Sequence, residues 1–128
     1  MTLIEVIIAV VILSGVLIGL SNFTRRFQRL TNNHDALTVA SELATARLEV
    51  VKMHQPYSTV SSTFNGTTET SATSTANPPM SAYPGYTRTT AVAAVDSSYR
   101  TQYVTVTVTV THPATATTVR KSLVISAF

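Results

Sequence analysis

The chain opens with an almost unbroken apolar run, Met1 to Leu20, which reads MTLIEVIIAVVILSGVLIGL. About 20 consecutive apolar residues in a helix are enough to cross the ~30 Å hydrocarbon core of a bilayer. A signal peptide would show a basic segment before such a run and a small-residue cleavage site after it, and this run has neither. The sequence therefore predicts a membrane-competent helix that stays on the protein.

One carboxylate, Glu5, lies near the start of this run. An ionisable side chain within a membrane segment costs about 2.5–3.5 kcal/mol on insertion scales, so it needs either a charged partner or a position where its charged end is hydrated. One candidate partner is the α-amino group of a neighbouring copy, because opposite charges ~4 Å apart attract strongly in a low dielectric. The alternative is that Glu5 reaches the headgroups. Periodicity alone does not choose between them.

Ser14, Gly15 and Gly19 interrupt the apolar run. The G-x-x-x-G spacing of the two glycines lets helix backbones approach closely. Glycine also weakens a helix by about 1 kcal/mol per site relative to alanine. The segment is therefore a helix-packing face, a place where the helix melts, or a stretch in which glycine is simply tolerated.

The segment MTLIEVIIAVVIL resembles the mature N-terminus of type IV pilins and type II secretion pseudopilins, whose pattern is [FM]TLIE followed by an apolar helix. Met1 to Glu5 match this pattern residue by residue, and the resemblance covers roughly the first 25 residues. It implies that a prepilin peptidase cuts just before Met1 and that the new N-terminus is methylated. It also implies that Glu5 pairs with the N-terminal amine of the adjacent subunit during filament assembly. Many pilins have a helix-breaking proline where this chain has Asn22, so any unwinding would have to come from Ser14 to Gly19.

Three arginines, Arg25, Arg26 and Arg29, follow the apolar run. The positive-inside rule would place this flank in the cytoplasm, whereas the pilin resemblance places it outside. A basic leader peptide removed by cleavage would reconcile the two. If Met1 were the translational start, the topology argument would count against the pilin interpretation.

Apolar residues at helical spacing continue beyond the run, from Phe23 to about His54. Pro56 cannot continue a helix and disfavours helical geometry in the residue before it. We therefore predict one long helix over about residues 1–54, with its C-terminal half packed on a sheet. The stripe that would face the sheet consists of Leu37, Ala40, Ala44, Leu48 and Val51.

The remaining chain is predicted to be a loop followed by strands. Residues 55–84 are rich in Ser, Thr, Gly and Pro and lack periodicity, which suits either a decorated adhesive surface or a plain solvated loop. Strict alternation over Tyr103 to Thr111 is the clearest strand signal, with Val104, Val106, Val108 and Val110 facing the helix. Flanking strands are expected at Tyr86–Val95 and Val119–Phe128, with turns at 96–98 and 112–114. The expected fold is α+β, a pilin-like long helix on a small antiparallel meander, to which the loop could add a fourth strand.

The predicted domain organisation follows from these elements. Residues 1–22 form a transmembrane or filament-core helix, and residues 23–128 form a globular domain. Within that domain an amphipathic helix spans 23–54, the loop spans 55–84 and antiparallel strands span 85–128. The absence of cysteine excludes thiolate chemistry and Cys-based zinc sites.

No catalytic site is recognisable in the sequence. His34, His54 and His112 are far apart and have no metal-ligand spacing, and there is no nucleophile elbow or phosphate-binding loop. A net charge of +3 with few charges overall is too sparse for a dedicated nucleic-acid surface, although pilins of this family sometimes bind DNA weakly. We expect neither enzymatic activity, a cofactor nor a metal.

The expected function is that of a structural subunit of a type IV pilus-like filament, with Glu5 and Met1 as its assembly residues. Met1 would also be the site of prepilin peptidase cleavage and N-methylation. Before assembly the subunit would lie in the bacterial inner membrane, and afterwards in an extracellular homo-oligomeric filament that could include other pilins. Its other partners would be the prepilin peptidase and an assembly ATPase.

Two alternatives remain open. Met1 with Thr-Leu-Ile-Glu-Val, and the segment over residues 44–50, resemble minor pilins and minor pseudopilins somewhat more than abundant ones; a pseudopilin would be periplasmic. The Ser/Thr-rich loop favours a major subunit. The alternative from another class is a membrane-anchored binding module that never polymerises.

Overall fold

A computed structural model describes residues 2–95, 103–115 and 118–126. It divides into two compact units, Met1–Asp35 and Ala36–Phe128, which we call the helical unit and the sheet unit. One long helix, α1 (Leu3–Lys52), contributes to both. The fold is α+β, as the sequence predicts, and α1 ends within two residues of the predicted position at His54. The predicted boundary at residue 22 concerns where the membrane segment ends, and it stays a prediction.

The strands form one four-stranded antiparallel sheet in the order β1-β2-β3-β4. The strands are β1 (Thr67–Glu69), β2 (Thr87–Val95), β3 (Tyr103–Thr111) and β4 (Val119–Ser126). The three long strands agree with the predicted meander to within two residues at each end. The turn expected at 96–98 lies outside the described residues, whereas the turn after β3 is closed by the Thr115 amide donating to the His112 carbonyl at 3.0 Å.

The segment predicted as a structureless loop contains short elements. A 3-10 turn (Tyr57–Thr59) leads into α2 (Val60–Phe64), which is followed by β1. Each element is too short to produce a periodic pattern, so the loop predicted over residues 55–84 does contain structure in its first part, from Tyr57 to Glu69. The fourth strand, left open at the sequence level, does come from this segment and pairs Glu69 with Arg88 of β2.

The core of the sheet unit lies between the C-terminal part of α1 and one face of the sheet. Alternate residues of β3 are buried, namely Val104, Val106, Val108 and Val110, because side chains of a strand point alternately to its two faces. The predicted stripe on α1 is confirmed, with Ala40, Ala44 and Val51 buried and Leu37 and Leu48 half-buried. Leu43 and Arg47 are also buried, and the sequence reasoning missed both.

Two glycines with left-handed backbones provide a matched stability test. Gly66 (φ +73°) and Gly85 (φ +86°) adopt a conformation that costs other L-residues about 1–2 kcal/mol. A Cβ at Gly66 would meet nothing within 4 Å, whereas one at Gly85 would lie 3.0 Å from His112 Nε2. We expect Gly85→Ala to lower the free energy of unfolding by about 1 kcal/mol more than Gly66→Ala, because crowding adds to strain. Thermal unfolding of the full chain in detergent measures the difference, and an equal loss for both variants would contradict it.

Candidate functional site

The assembly motif lies at the first turn of α1, where Glu5 caps its own helix. The Thr2 amide donates to Glu5 Oε2 at 2.8 Å, and the Glu5 amide donates to the Thr2 carbonyl at 3.1 Å. A Glu three residues after a Thr at a helix start is the capping-box arrangement, in which the carboxylate satisfies an amide that has no partner in the helix. The spacing Thr-x-x-Glu was readable in the sequence, but the sequence reasoning did not use it.

The cap holds the Glu5 carboxylate at the amino end of α1. The partial positive charge of a helix N-terminus favours an anion there. A carboxylate has about four lone-pair sites, so the bond to Thr2 leaves capacity for a second donor. Met1 lies outside the described residues, and pairing of Glu5 with the amine of another subunit stays a prediction.

The helical unit offers an uncovered apolar surface. Every residue from Thr2 to Asp35 is exposed, and the apolar side chains over Leu3 to Leu20 are each about half or more accessible. α1 contains one stretch that is long and apolar enough to cross a membrane, and no residue of that stretch is buried. Exposed apolar patches of this extent mark surfaces that lipid or another protein covers.

Ser14, Gly15 and Gly19 lie within continuous helix. The Ser14 hydroxyl donates to the Val10 carbonyl at 2.7 Å, a local bond that slightly weakens or bends a helix. A Cβ at Gly15 or Gly19 would meet no atom within 4 Å, so neither glycine is needed for contacts within this chain. Their predicted role in packing against another helix, or in melting, stays a prediction.

The sheet unit contains a buried charged cluster that the sequence reasoning missed, formed by Arg47, Glu69 and Arg88. Glu69 Oε1 lies 3.2 Å from Arg47 Nη1, and its Oε2 lies 2.7 Å from Arg88 Nη2 and 2.8 Å from Arg88 Nε. The exposed fractions of the three residues are 3%, 5% and 0%. Arg47 also donates to the hydroxyls of Thr67 and Thr90 at 3.2 Å each.

The cluster attaches the segment before β2 to the rest of the sheet unit. Arg47 donates to the Asn77 carbonyl, Arg88 donates to the Pro78 carbonyl at 2.8 Å, and the Asn77 amide donates to Glu69 Oε1 at 3.2 Å. Helix, two strands and loop are thereby joined at one carboxylate. The chain has no cysteine, so these hydrogen bonds, and not a disulfide, hold the loop against the sheet unit.

Two guanidinium groups share one carboxylate, so the cluster carries a net buried charge of +1. Burial lowers the pKa of Arg47, the Glu69 carboxylate opposes that shift, and Arg88 adds to it. Arginine nevertheless stays protonated in proteins. One signal was present in the sequence, since Arg47 follows Ala40 and Ala44 and precedes Val51 at the spacing of the buried stripe.

Two of the three histidines, His54 and His112, lie against identified neighbours. His54 Nε2 lies 2.9 Å from Thr59 Oγ1, and the His112 ring lies 4.4 Å from that of Tyr86. Over residues 2–95, 103–115 and 118–126, no three His, Cys, Asp or Glu side chains lie close enough to hold a metal ion.

Comparison of the chain with protein-family models, with curated proteins and with solved structures found no match. The architecture, a long N-terminal apolar helix with an antiparallel sheet, is compatible with that of pilins. What the fold establishes is an α+β chain whose N-terminal helix is competent to lie in a membrane.

Proposed function

We propose that this chain is a structural subunit of a type IV pilus-like filament. The observation that carries the proposal is the exposed apolar surface over Leu3 to Leu20, with the capped carboxylate of Glu5 at its start. A simple lipid anchor would gain only a helix cap from Glu5, and the ionisable side chain makes its insertion less favourable. A helix that also packs against the helices of other subunits can use the Glu5 carboxylate as a charged contact. That contact would fix its axial position relative to the adjacent subunit.

The proposed mechanism has two stages. The subunit first waits in the inner membrane, with lipid covering its apolar helix. An ATP-driven machine then moves it into the filament, where sister helices replace lipid around the same surface. Because apolar burial is kept throughout, extraction does not require exposing the helix to water.

Glu5 has a defined role in the second stage. Its carboxylate meets the amine of Met1 on the adjacent subunit, so that two charges are neutralised together and the axial register is set. Since the Thr2 amide already holds the carboxylate at 2.8 Å, little side-chain freedom is lost when the amine arrives. In this proposal the cap prepares Glu5 for the intermolecular contact.

The state of the native N-terminus tests the proposal directly. Processing by a prepilin peptidase would leave Met1 as the first residue with one added methyl group, which mass spectrometry of the protein purified from its native host detects. We expect the methylated form to dominate. An unmethylated initiator Met1 would favour the membrane-anchored binding module instead.

Electron microscopy of a strain lacking the gene then separates the subunit types. Loss of all filament mass is expected for a major subunit. Fewer but otherwise normal filaments would assign the chain to the minor pilins. Normal filaments together with a defect in protein export would point to a periplasmic pseudopilin.

A further inference from the structure

A basic band follows the apolar surface of the helical unit. Arg25, Arg26 and Arg29 line an open notch of about 560 Å³, together with Gly19, Asn22 and Phe23. Gly19 contributes to the notch because it has no Cβ, and a Cβ there would meet nothing within 4 Å. Helical side chains lean toward the helix N-terminus, so the arginine stems start back toward the apolar surface.

The band has no internal counter-charge. The sequence contains neither Asp nor Glu between Glu5 and Asp35. In the described part of the chain, the ion pairs found are those of Glu69, in the sheet unit. All three arginines are exposed. An anion that neutralises them therefore has to come from outside residues 6–34.

The position of the band along α1 indicates where that anion comes from, because it places the arginines near the headgroup region of a membrane. Leu3 to Leu20 spans about 27 Å at 1.5 Å per residue, close to the ~30 Å hydrocarbon thickness. Arg25 and Arg29 follow Leu20 by about 8 and 14 Å along the axis, and the headgroup region adds about 5–8 Å on each side. Arginine reaches back to that level by extending its stem along the helix.

Aromatic side chains mark the same level. The rings of Phe23 and Phe27 stack with their centroids 6.3 Å apart and their planes 20° from parallel. Both rings are exposed, and they lie between the apolar surface and Arg29. Apolar side chains interleaved with arginines suit the boundary between acyl chains and headgroups, where one end of a side chain is dry and the other is hydrated.

We propose that the basic band is a binding site for the phosphates of anionic phospholipids. Arg25, Arg26 and Arg29 each present a planar fork of donors that matches phosphate oxygens, and the notch above Gly19 receives a headgroup. The bound lipid fixes the depth of α1 in the bilayer. The inference rests on the membrane stage of the proposed function and adds a lipid class to it.

Lipid selectivity in nanodiscs tests the site. The full chain is inserted into nanodiscs of equal phosphatidylglycerol and phosphatidylcholine content, and native mass spectrometry counts the lipids that remain bound. We expect phosphatidylglycerol to be enriched at least about fivefold, the factor that corresponds to roughly 1 kcal/mol, which is the contribution of a single basic residue near an anionic surface. R25Q/R26Q/R29Q should reduce the enrichment to about the bulk ratio.

A matched control removes the same charge elsewhere. K52Q/R120Q/K121Q also deletes three exposed or half-exposed basic residues, but from the sheet unit, and it should keep the enrichment. R25K/R26K/R29K should keep part of it, because lysine retains the charge without the planar fork. No enrichment in the native chain, or an equal loss in both glutamine variants, would overturn the proposal.

Two further measurements separate the proposal from its alternatives. If millimolar inorganic phosphate displaces the lipid, the site is for free phosphate, and if duplex DNA binds with the same arginine dependence, it is for nucleic acid; either result overturns the lipid assignment. Resistance to carbonate extraction reports membrane insertion separately. A chain that does not insert contradicts the proposed function, whereas an inserted chain without selectivity contradicts this inference alone.

Discussion

Glu5→Gln is expected to stop filament assembly as completely as Glu5→Ala. Glutamine still accepts a hydrogen bond from the Thr2 amide, which Glu5 accepts at 2.8 Å, because glutamine serves the capping box as well as glutamate does. It cannot neutralise the amine of Met1 on an adjacent subunit. Removing one partner of a buried charge pair costs about 3–5 kcal/mol, which corresponds to a roughly 10²- to 4 × 10³-fold weaker addition of each subunit.

The pair of variants separates the two roles that Glu5 could have. If capping were its only role, Glu5→Gln would assemble normally and Glu5→Ala alone would fail. If the charge is required, both variants fail to assemble, and only Glu5→Asp, which keeps the carboxylate, assembles in part. The measurement is the mass of sheared filaments relative to subunit in the membrane fraction.

Membrane insertion must survive for this test to be decisive. We expect both Glu5 variants to insert at least as well as the native chain, since losing a carboxylate makes insertion more favourable. Glu42→Gln, a change of the same kind at an exposed position of α1 in the sheet unit, is the control and should leave filament mass unchanged. Native filament yield from Glu5→Gln would refute the proposed pairing.

Glu69→Gln is expected to cause the largest loss of stability in the sheet unit. The change preserves shape but leaves Arg47 and Arg88 as two buried cations without a carboxylate. The expected cost is about 3–5 kcal/mol, a large share of the roughly 5–15 kcal/mol that holds a domain together. For a unit of this size the midpoint of thermal unfolding should fall by at least about 12 °C.

The measurement should follow the sheet unit separately from the apolar helix. Near-ultraviolet circular dichroism of the tyrosines in detergent does so, because all five tyrosines lie beyond residue 36. Glu49→Gln removes an exposed carboxylate from α1 and should shift the midpoint by no more than about 2 °C. A shift that small for Glu69→Gln would contradict the prediction that the Glu69 carboxylate stabilises the sheet unit.

A triple variant tests whether charge or shape matters at this position. R47M/E69L/R88M replaces the whole cluster with apolar side chains of similar volume, a change that is often neutral or stabilising when all members of a buried ion pair are removed together. It should unfold at a higher temperature than Glu69→Gln. Hydrogen exchange over residues 70–84 should nevertheless be faster than in the native chain, because the carbonyls of Asn77 and Pro78 lose their arginine donors.

The sequence by itself determined the long helix, the three long strands and the α+β class. Local sequence patterns predict these elements: the apolar run between Leu3 and Leu20, the apolar stripe at helical spacing and the strict alternation of β3. Even the cap at Glu5 was encoded within four residues. Each signal depends on neighbours in the chain, and so no tertiary contact is needed to interpret it.

Only the tertiary structure decided where β1 pairs and which charges are buried. Glu69 meets Arg47 and Arg88 across separations of about 20 residues in sequence, and no periodic pattern links residues that far apart. Burying an arginine on an apolar helix stripe costs free energy unless it is paired with a carboxylate, and here that carboxylate belongs to another part of the chain. The charged cluster is therefore a product of long-range packing, whereas the apolar helix is a property of composition alone.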